Sequence, residues 1–128
     1  MELQGIHHLA IICSDYERSK SFYTEVLPFK IIAEHFRKDR QSYKLDLALN
    51  GQYVIELFSF PQVPERLSRP EAAGLRHLAF QVEDIDQWHT HLLSKGVNCE
   101  PIRTDVFTGK RFMFFTDPDH LPLELYET

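Results

Sequence analysis

Cysteine is nearly absent: Cys13 and Cys99 are the only two in 128 residues. Two cysteines build no disulfide framework, and neither has the spacing of a thiolate metal motif, so a reducing cytoplasm is the expected setting. Positive charge is also scarce. Fourteen Lys and Arg stand against nineteen Asp and Glu, a formal net charge of −5, with no basic run. That excludes the electrostatic footprint of a nucleic-acid partner. No apolar stretch approaches the roughly 20 residues that span a bilayer, so no membrane partner is expected. The opening Met1-Glu2-Leu3-Gln4-Gly5 lacks the basic-then-apolar order of a secretory signal. H-E-x-x-H, P-loop, G-x-G-x-x-G and G-x-S-x-G motifs are all missing. What is present is an ordinary globular composition, 43% hydrophobic, in a length that suits one domain with a real core.

Within that length the chain repeats itself. Gly74-Leu75-Arg76-His77-Leu78-Ala79 through Asp84 echoes Gly5-Ile6-His7-His8-Leu9-Ala10 through Asp15. A second echo aligns Tyr53-Val54-Ile55-Glu56-Leu57-Phe58 with Leu121-Pro122-Leu123-Glu124-Leu125-Tyr126. Internal repetition dictates architecture before any local signal does. Each half carries a His on its first strand and a Glu on its last, so one half-site is used twice.

Residues 5–13 alternate as a strand, with Leu9, Ile11 and Cys13 on one face and His8, Ala10 and Ile12 on the other. Ser14 or Asp15 can cap a helix over 15–27 that Pro28 ends. Strands are expected near 29–37, 42–49 and 53–60, the last two joined by an Asn50-Gly51 turn. Pro61, Pro64 and Pro70 mark 61–73 as a linker. The second half replays the order: a strand at 75–82, Asp84 capping a helix that Gly96 closes, then strands near 97–103, 110–116 and 121–127. The expected fold class is α+β, one domain over 1–128 made of two βαβββ repeats, 5–60 and 74–127. Their strands together would make one curved, cup-shaped, mixed sheet of eight strands with the helices on its convex side.

Period-two alternation assigns His77, Ala79 and Gln81 to the face opposite Leu78, Phe80 and Val82. Glu124 opposes Leu121, Leu123 and Leu125, and Glu56 shares its face with Val54 and Phe58. Carboxylates among apolar strands cost several kcal/mol each unless paired or protonated. One divalent cation held by His8, Glu56, His77 and Glu124 would offset that cost. A lone strand histidine is ordinarily structural. Four such residues at repeat-equivalent positions, brought together by a pseudo-two-fold axis, are a better candidate for a site. The remaining histidines do not join: His7 should point away from His8, and His89 and His91 do not share a helix face. His35 has no assignment, and His120 sits in the turn before the last strand.

Paired βαβββ modules with His…Glu…His…Glu, Arg18-Ser19-Lys20-Ser21-Phe22-Tyr23 on the first helix and Asp117-Pro118-Asp119 before the last strand resemble the vicinal oxygen chelate superfamily over the whole chain. The ligand pattern is most similar to glyoxalase I. The segments Ile55-Glu56-Leu57-Phe58-Ser59-Phe60-Pro61 and Phe114-Phe115-Thr116-Asp117-Pro118-Asp119 resemble small glyoxalase-like proteins of the YaeR type. The resemblance implies metal ligation by His8, Glu56, His77 and Glu124, with the ion being Zn, Ni, Co, Mn or Fe. It implies a lyase or isomerase acting on a small-molecule substrate with neighbouring oxygens, through a metal-stabilised enediolate. Glu124 is then the base that moves the proton, and Glu56 its counterpart for a substrate of opposite hand. A homodimer is expected.

Two positions depart from glyoxalase I. Ile12 and Phe60 stand where that family has an Arg and an Asn that hold glutathione. The wall with Ile12, Val54, Phe58 and Phe60 suits a smaller or more apolar substrate. Arg103, Lys110 and Arg111 are the cations available to an anionic group. Alternative readings are an Fe(II) dioxygenase, against which Glu56 argues, an acyl-CoA epimerase, and a non-enzymatic module that sequesters small molecules such as antibiotics. Antibiotic-inactivating thiol transferases rank lower because they lack the first-module Glu as a ligand.

Overall fold

The computed structural model describes residues 1–128, and the chain divides into two units, Met1–Pro64 and Glu65–Thr128. The first unit begins with β1, Leu9–Cys13, in which Ile11 and Cys13 are buried while Ala10 and Ile12 face solvent. Asp15 caps the next helix by accepting the backbone N–H of Arg18. That helix, α1, runs over Tyr16–Ser21 and then opens into a π turn over Phe22–Val26. The single α-helix expected over 15–27 is therefore split. Leu27 N–H donates to Phe22 across the wider turn, and Phe22, Tyr23, Leu27 and Phe29 all reach the core.

Three strands complete the unit: β2 (Lys30–Arg37), β3 (Ser42–Leu49) and β4 (Gln52–Ser59). Asn50 and Gly51, at φ of 51° and 78°, make the tight hairpin turn between the last two. Two adjacent positive-φ residues are the conformation for which Asn-Gly is the favoured pair. Leu45, Leu47, Ile55 and Leu57 are fully buried, and Tyr16 of α1 stacks on Tyr43 of β3 at 4.1 Å between ring centres. Strand order is β1-β4-β3-β2, with β1 parallel to β4 and the other neighbours antiparallel.

The second unit repeats this plan with β5 (Leu78–Val82), α2 (Ile85–Ser94), β6 (Arg103–Thr104), β7 (Arg111–Thr116) and β8 (Pro122–Glu127). Asp84 accepts the Gln87 N–H at the start of α2. Gly96, at φ 75°, lets Val97 N–H return to Leu92 O at its end, as a left-handed glycine after a helix does. Order is β5-β8-β7-β6, again with the first and last strands of the unit parallel. The fold is α+β, built from two βαβββ modules. All eight expected strands are present, and their hydrogen bonds join them four and four, each unit closing its last strand against its own first.

Three strands are shorter than their sequence pattern. The strand expected over 97–103 is reduced to Arg103–Thr104 and an isolated bridge between Cys99 and Phe115, because Pro101 between them has no N–H to donate. The strand expected over 75–82 starts at Leu78, whose partner is Leu123. The strand expected over 5–13 likewise starts at the repeat-equivalent Leu9, whose partner is Ile55.

Candidate metal centre

Each unit places a histidine beside a glutamate by the same construction. Ala10 pairs across the parallel ladder with Glu56, and Ala79 pairs with Glu124. His8 and His77 each lie two residues before that alanine, just ahead of the strand, and both imidazoles come to lie beside the carboxylate. The alanine contributes only a methyl group opposite the carboxylate, which leaves room for the imidazole to lean over it. His8 Nε2 is 3.6 Å from Glu56 Oε2. His77 Nε2 is 3.1 Å from Glu124 Oε2. The helix-facing side of the same strands is filled by Ile55, Leu57, Leu123 and Leu125.

The surroundings of the two pairs differ. Glu56 has neighbours: the Tyr53 hydroxyl lies 2.8 Å from Oε2 and Lys44 Nζ lies 3.4 Å away. Asp46, opposite Glu56 on β3, draws on the same groups, with Lys44 at 2.7 Å and Tyr53 at 2.9 Å. Burial pushes the Asp46 carboxyl up, but the hydrogen bonds from Lys44 and Tyr53 outweigh it and hold the group below its usual range. Burial, then the bonds to Glu56 and Asp46, push the Tyr53 hydroxyl well above its ordinary value. In the second unit the position opposite Glu124 is Phe114, whose ring meets His77 edge-on at 5.1 Å. Glu124 is 9% exposed and has His77 as its one polar partner. His77 Nδ1 is buried with no hydrogen-bond partner.

Several of these neighbours escaped the sequence pattern. Alternation assigns Tyr53 to the face opposite Glu56, yet its hydroxyl reaches Glu56. The register between β3 and β4 shifts at Leu47/Ala48, and such a bulge re-aims the side chains beside it. Asp46 and Lys44 were visible as the polar members of Lys44-Leu45-Asp46-Leu47, the alternating signal that marks one strand face. His7 also departs from expectation. Its Nδ1 lies 2.8 Å from that of His8, because β1 begins only at Leu9 and strict alternation does not extend to residues ahead of it. Arg111 is unavailable to a ligand, being bound to Glu127 through two nitrogens at 2.8 Å and to Asp86 at 2.9 Å. Arg103 and His77 both line a cavity of about 430 Å³ in the second unit. Cys99 shares that wall, where burial pushes its thiol up, away from the nucleophilic thiolate. Asp117 in the turn before β8 is structural, its carboxylate accepting the N–H groups of Asp119 and Leu121.

Imidazole nitrogen with carboxylate oxygen is a donor set that suits first-row divalent ions. The orphaned His77 Nδ1 and the near-buried Glu124 carboxylate fit a cation at this face better than they fit a finished polar network. No three His, Cys, Asp or Glu side chains gather in a metal-holding group in this structure.

Known proteins resemble the chain over nearly its whole length. The model of the Glyoxalase/Bleomycin resistance protein/Dioxygenase superfamily matches residues 5–125. The uncharacterized protein YaeR of Escherichia coli K12 is 63% identical over 125 residues, spanning 98% of this chain and 97% of its own. The metallothiol transferase FosB of Staphylococcus saprophyticus is 32% identical, spanning 97% of this chain and 77% of its own. The crystal structure of a glyoxalase family protein from Enterococcus faecalis is 49% identical, with a TM-score of 0.92 over 99% of this chain and 100% of that one. With its repeated His and Glu on a repeated βαβββ frame, the chain belongs to the Glyoxalase/Bleomycin resistance protein/Dioxygenase superfamily.

Proposed function

We propose that the chain is a divalent-metal-dependent lyase or isomerase of the glyoxalase type, acting on a small molecule with neighbouring oxygens. His8, Glu56, His77 and Glu124 would hold one ion. The observation that carries this reading is the duplicated His–Glu pair, in the same ladder register in both units. When bound, Zn, Ni, Co, Mn or Fe supplies Lewis-acid polarisation of the substrate oxygens. The protein's own part is proton transfer. Glu124 is the better base, since His77 is its one polar partner, whereas Glu56 is tied to Tyr53 and Lys44. Glu124 removes a proton from the carbon next to a carbonyl and returns it to the adjacent carbon. The apolar ring of Phe114 beside it excludes water and keeps the carboxylate reactive.

Because each unit carries two ligands, the half-sites must be joined within a chain or between two chains. We assign a homodimer working in the cytoplasm, a setting consistent with two cysteines that form no disulfide. A second reading, metal-dependent thiol transfer, is favoured by the identity to FosB; the shared element is the metal, and Glu56 is what sets the lyase reading apart.

The test is to load the purified protein with Ni, Co, Mn or Zn, remove excess ion, and measure bound metal and turnover. Methylglyoxal with thiols is the first substrate. The expected result is one retained ion per chain, with Glu124→Gln lowering kcat by about 10²–10⁴ and Glu56→Gln by less. Metal below about 0.2 equivalents after soaking would remove the proposal. Light scattering at the same concentration checks the dimer.

A further inference from the structure

The cavity beside His77 has a charge opposite to that of the protein. Its wall carries Arg66, Arg69, Arg76 and Arg103 against Glu71 and Glu100, two positive charges over, in a chain of net charge −5. Arg66 and Arg69 come from 61–73, the stretch whose prolines read as a linker, and Arg76 follows it just ahead of β5. The four do different work. Arg66 is a clasp, donating to the carbonyl of Arg76 at 3.1 Å and to Ser68 Oγ at 3.0 Å, which folds this stretch back on the approach to β5. Arg76 is held by Glu71 at 2.9 Å. Arg103 has a loose partner in Glu100 at 3.3 Å, and its guanidinium lies over the Phe112 and Phe114 rings at 4.9 and 5.9 Å. Arg69 lines the cavity with no ion pair or hydrogen bond of its own.

We propose that this cavity is an anion subsite of the reaction centre, so that the substrate is a small acid bearing a phosphate, phosphonate or carboxylate group near its pair of metal-binding oxygens. This names the substrate class of the function proposed above and rests on that reading. Guanidinium is the side chain built for such a partner, because its planar donors match two oxygens of one acid group. Phe112 and Phe114 hold the Arg103 plane at the wall, which lowers the cost of ordering it around a ligand. A volume of about 430 Å³ lies in the range of small-molecule sites. His77 is common to the cavity wall and to the His–Glu pair, so an acid gripped by Arg69 and Arg103 keeps its other end beside Glu124. A wall with two positive charges in excess also draws anions from solution toward a chain that otherwise repels them.

The experiment is calorimetric titration of the full-length chain, metal-loaded and chelator-treated, with inorganic phosphate, methylphosphonate and malonate. Expected is saturable binding in both preparations, weakened at least about tenfold by Arg69→Gln or Arg103→Gln and falling as salt rises. Lys38→Gln, which removes one charge from the β2–β3 turn, should leave it unchanged. The tightest probe tells a phosphorus oxyanion from a carboxylate. As a readout independent of the variants, phosphate should shift the backbone amide resonances of Arg69, Asn98 and Arg103. No saturable binding of any probe, binding only when metal is present, or wild-type affinity in both arginine variants would overturn the subsite. Retained metal is measured separately on the same samples, so loss of the metal reading and loss of the anion subsite give different results.

Discussion

His77 Nε2 stands 3.1 Å from Glu124 Oε2, and the repeat-related pair, His8 and Glu56, stands at 3.6 Å. Both contacts arise from one device: a parallel ladder that sets Ala79 across from Glu124 and Ala10 across from Glu56. Replacing His77 or His8 with Ala is expected to weaken metal binding at least about tenfold, the scale at which even supporting groups of metal sites act. Equilibrium dialysis with metal analysis reads this, with circular dichroism as a fold control. An unchanged affinity in both variants would contradict the ligand assignment.

Tyr53 holds two carboxylates apart. Its hydroxyl is 2.9 Å from Asp46 and 2.8 Å from Glu56, donating to one at a time. Tyr53→Phe keeps the ring and removes the donor. It should destabilise the metal-free protein by about 1–2 kcal/mol, measured by chemical denaturation in the presence of chelator.

The two faces of the strands should respond differently to truncation. Leu123 is fully buried and Ile12 is 54% exposed. Leu123→Ala is expected to cost about 2–5 kcal/mol through lost contacts and a residual cavity. Ile12→Ala should change stability by no more than about 0.5 kcal/mol, and denaturant midpoints at fixed pH separate the two.

Acid stability should depend on Glu34. Lys20, bonded to it at 2.7 Å, and the Tyr16 hydroxyl hold its carboxyl below the usual range. A lowered folded value means that the contribution is complete above the unfolded value of about 4.3 and fades as pH falls through the folded one. Lys20 is raised by the same bond, so its share persists until pH rises past the unfolded lysine value of about 10.4. The stability gap between wild type and Glu34→Gln should thus be flat across neutral pH and close in acid. Denaturation at a series of pH values from 3 to 7 tests it. A gap that widens in acid would contradict the sign.

Much of the architecture was written in the chain. Duplication, period-two alternation and the caps at Asp15 and Asp84 are local signals, so the two βαβββ modules, their order and the hairpin at Asn50-Gly51 followed from sequence. The four His and Glu positions were chosen on repeat equivalence, which needs no knowledge of distance, and the structure sets them side by side two and two. Tertiary structure decided what depends on partners. The bulge that turns Tyr53 onto Glu56 arises from β3 and β4 pairing, which neither strand encodes alone. Pro101 cut short the strand expected over 97–103, because it has no N–H to offer β7 across the ladder. The linker around Arg69 acquired meaning only once folding laid it against Arg103 and His77, since a cavity's charge is a property of neighbours in space.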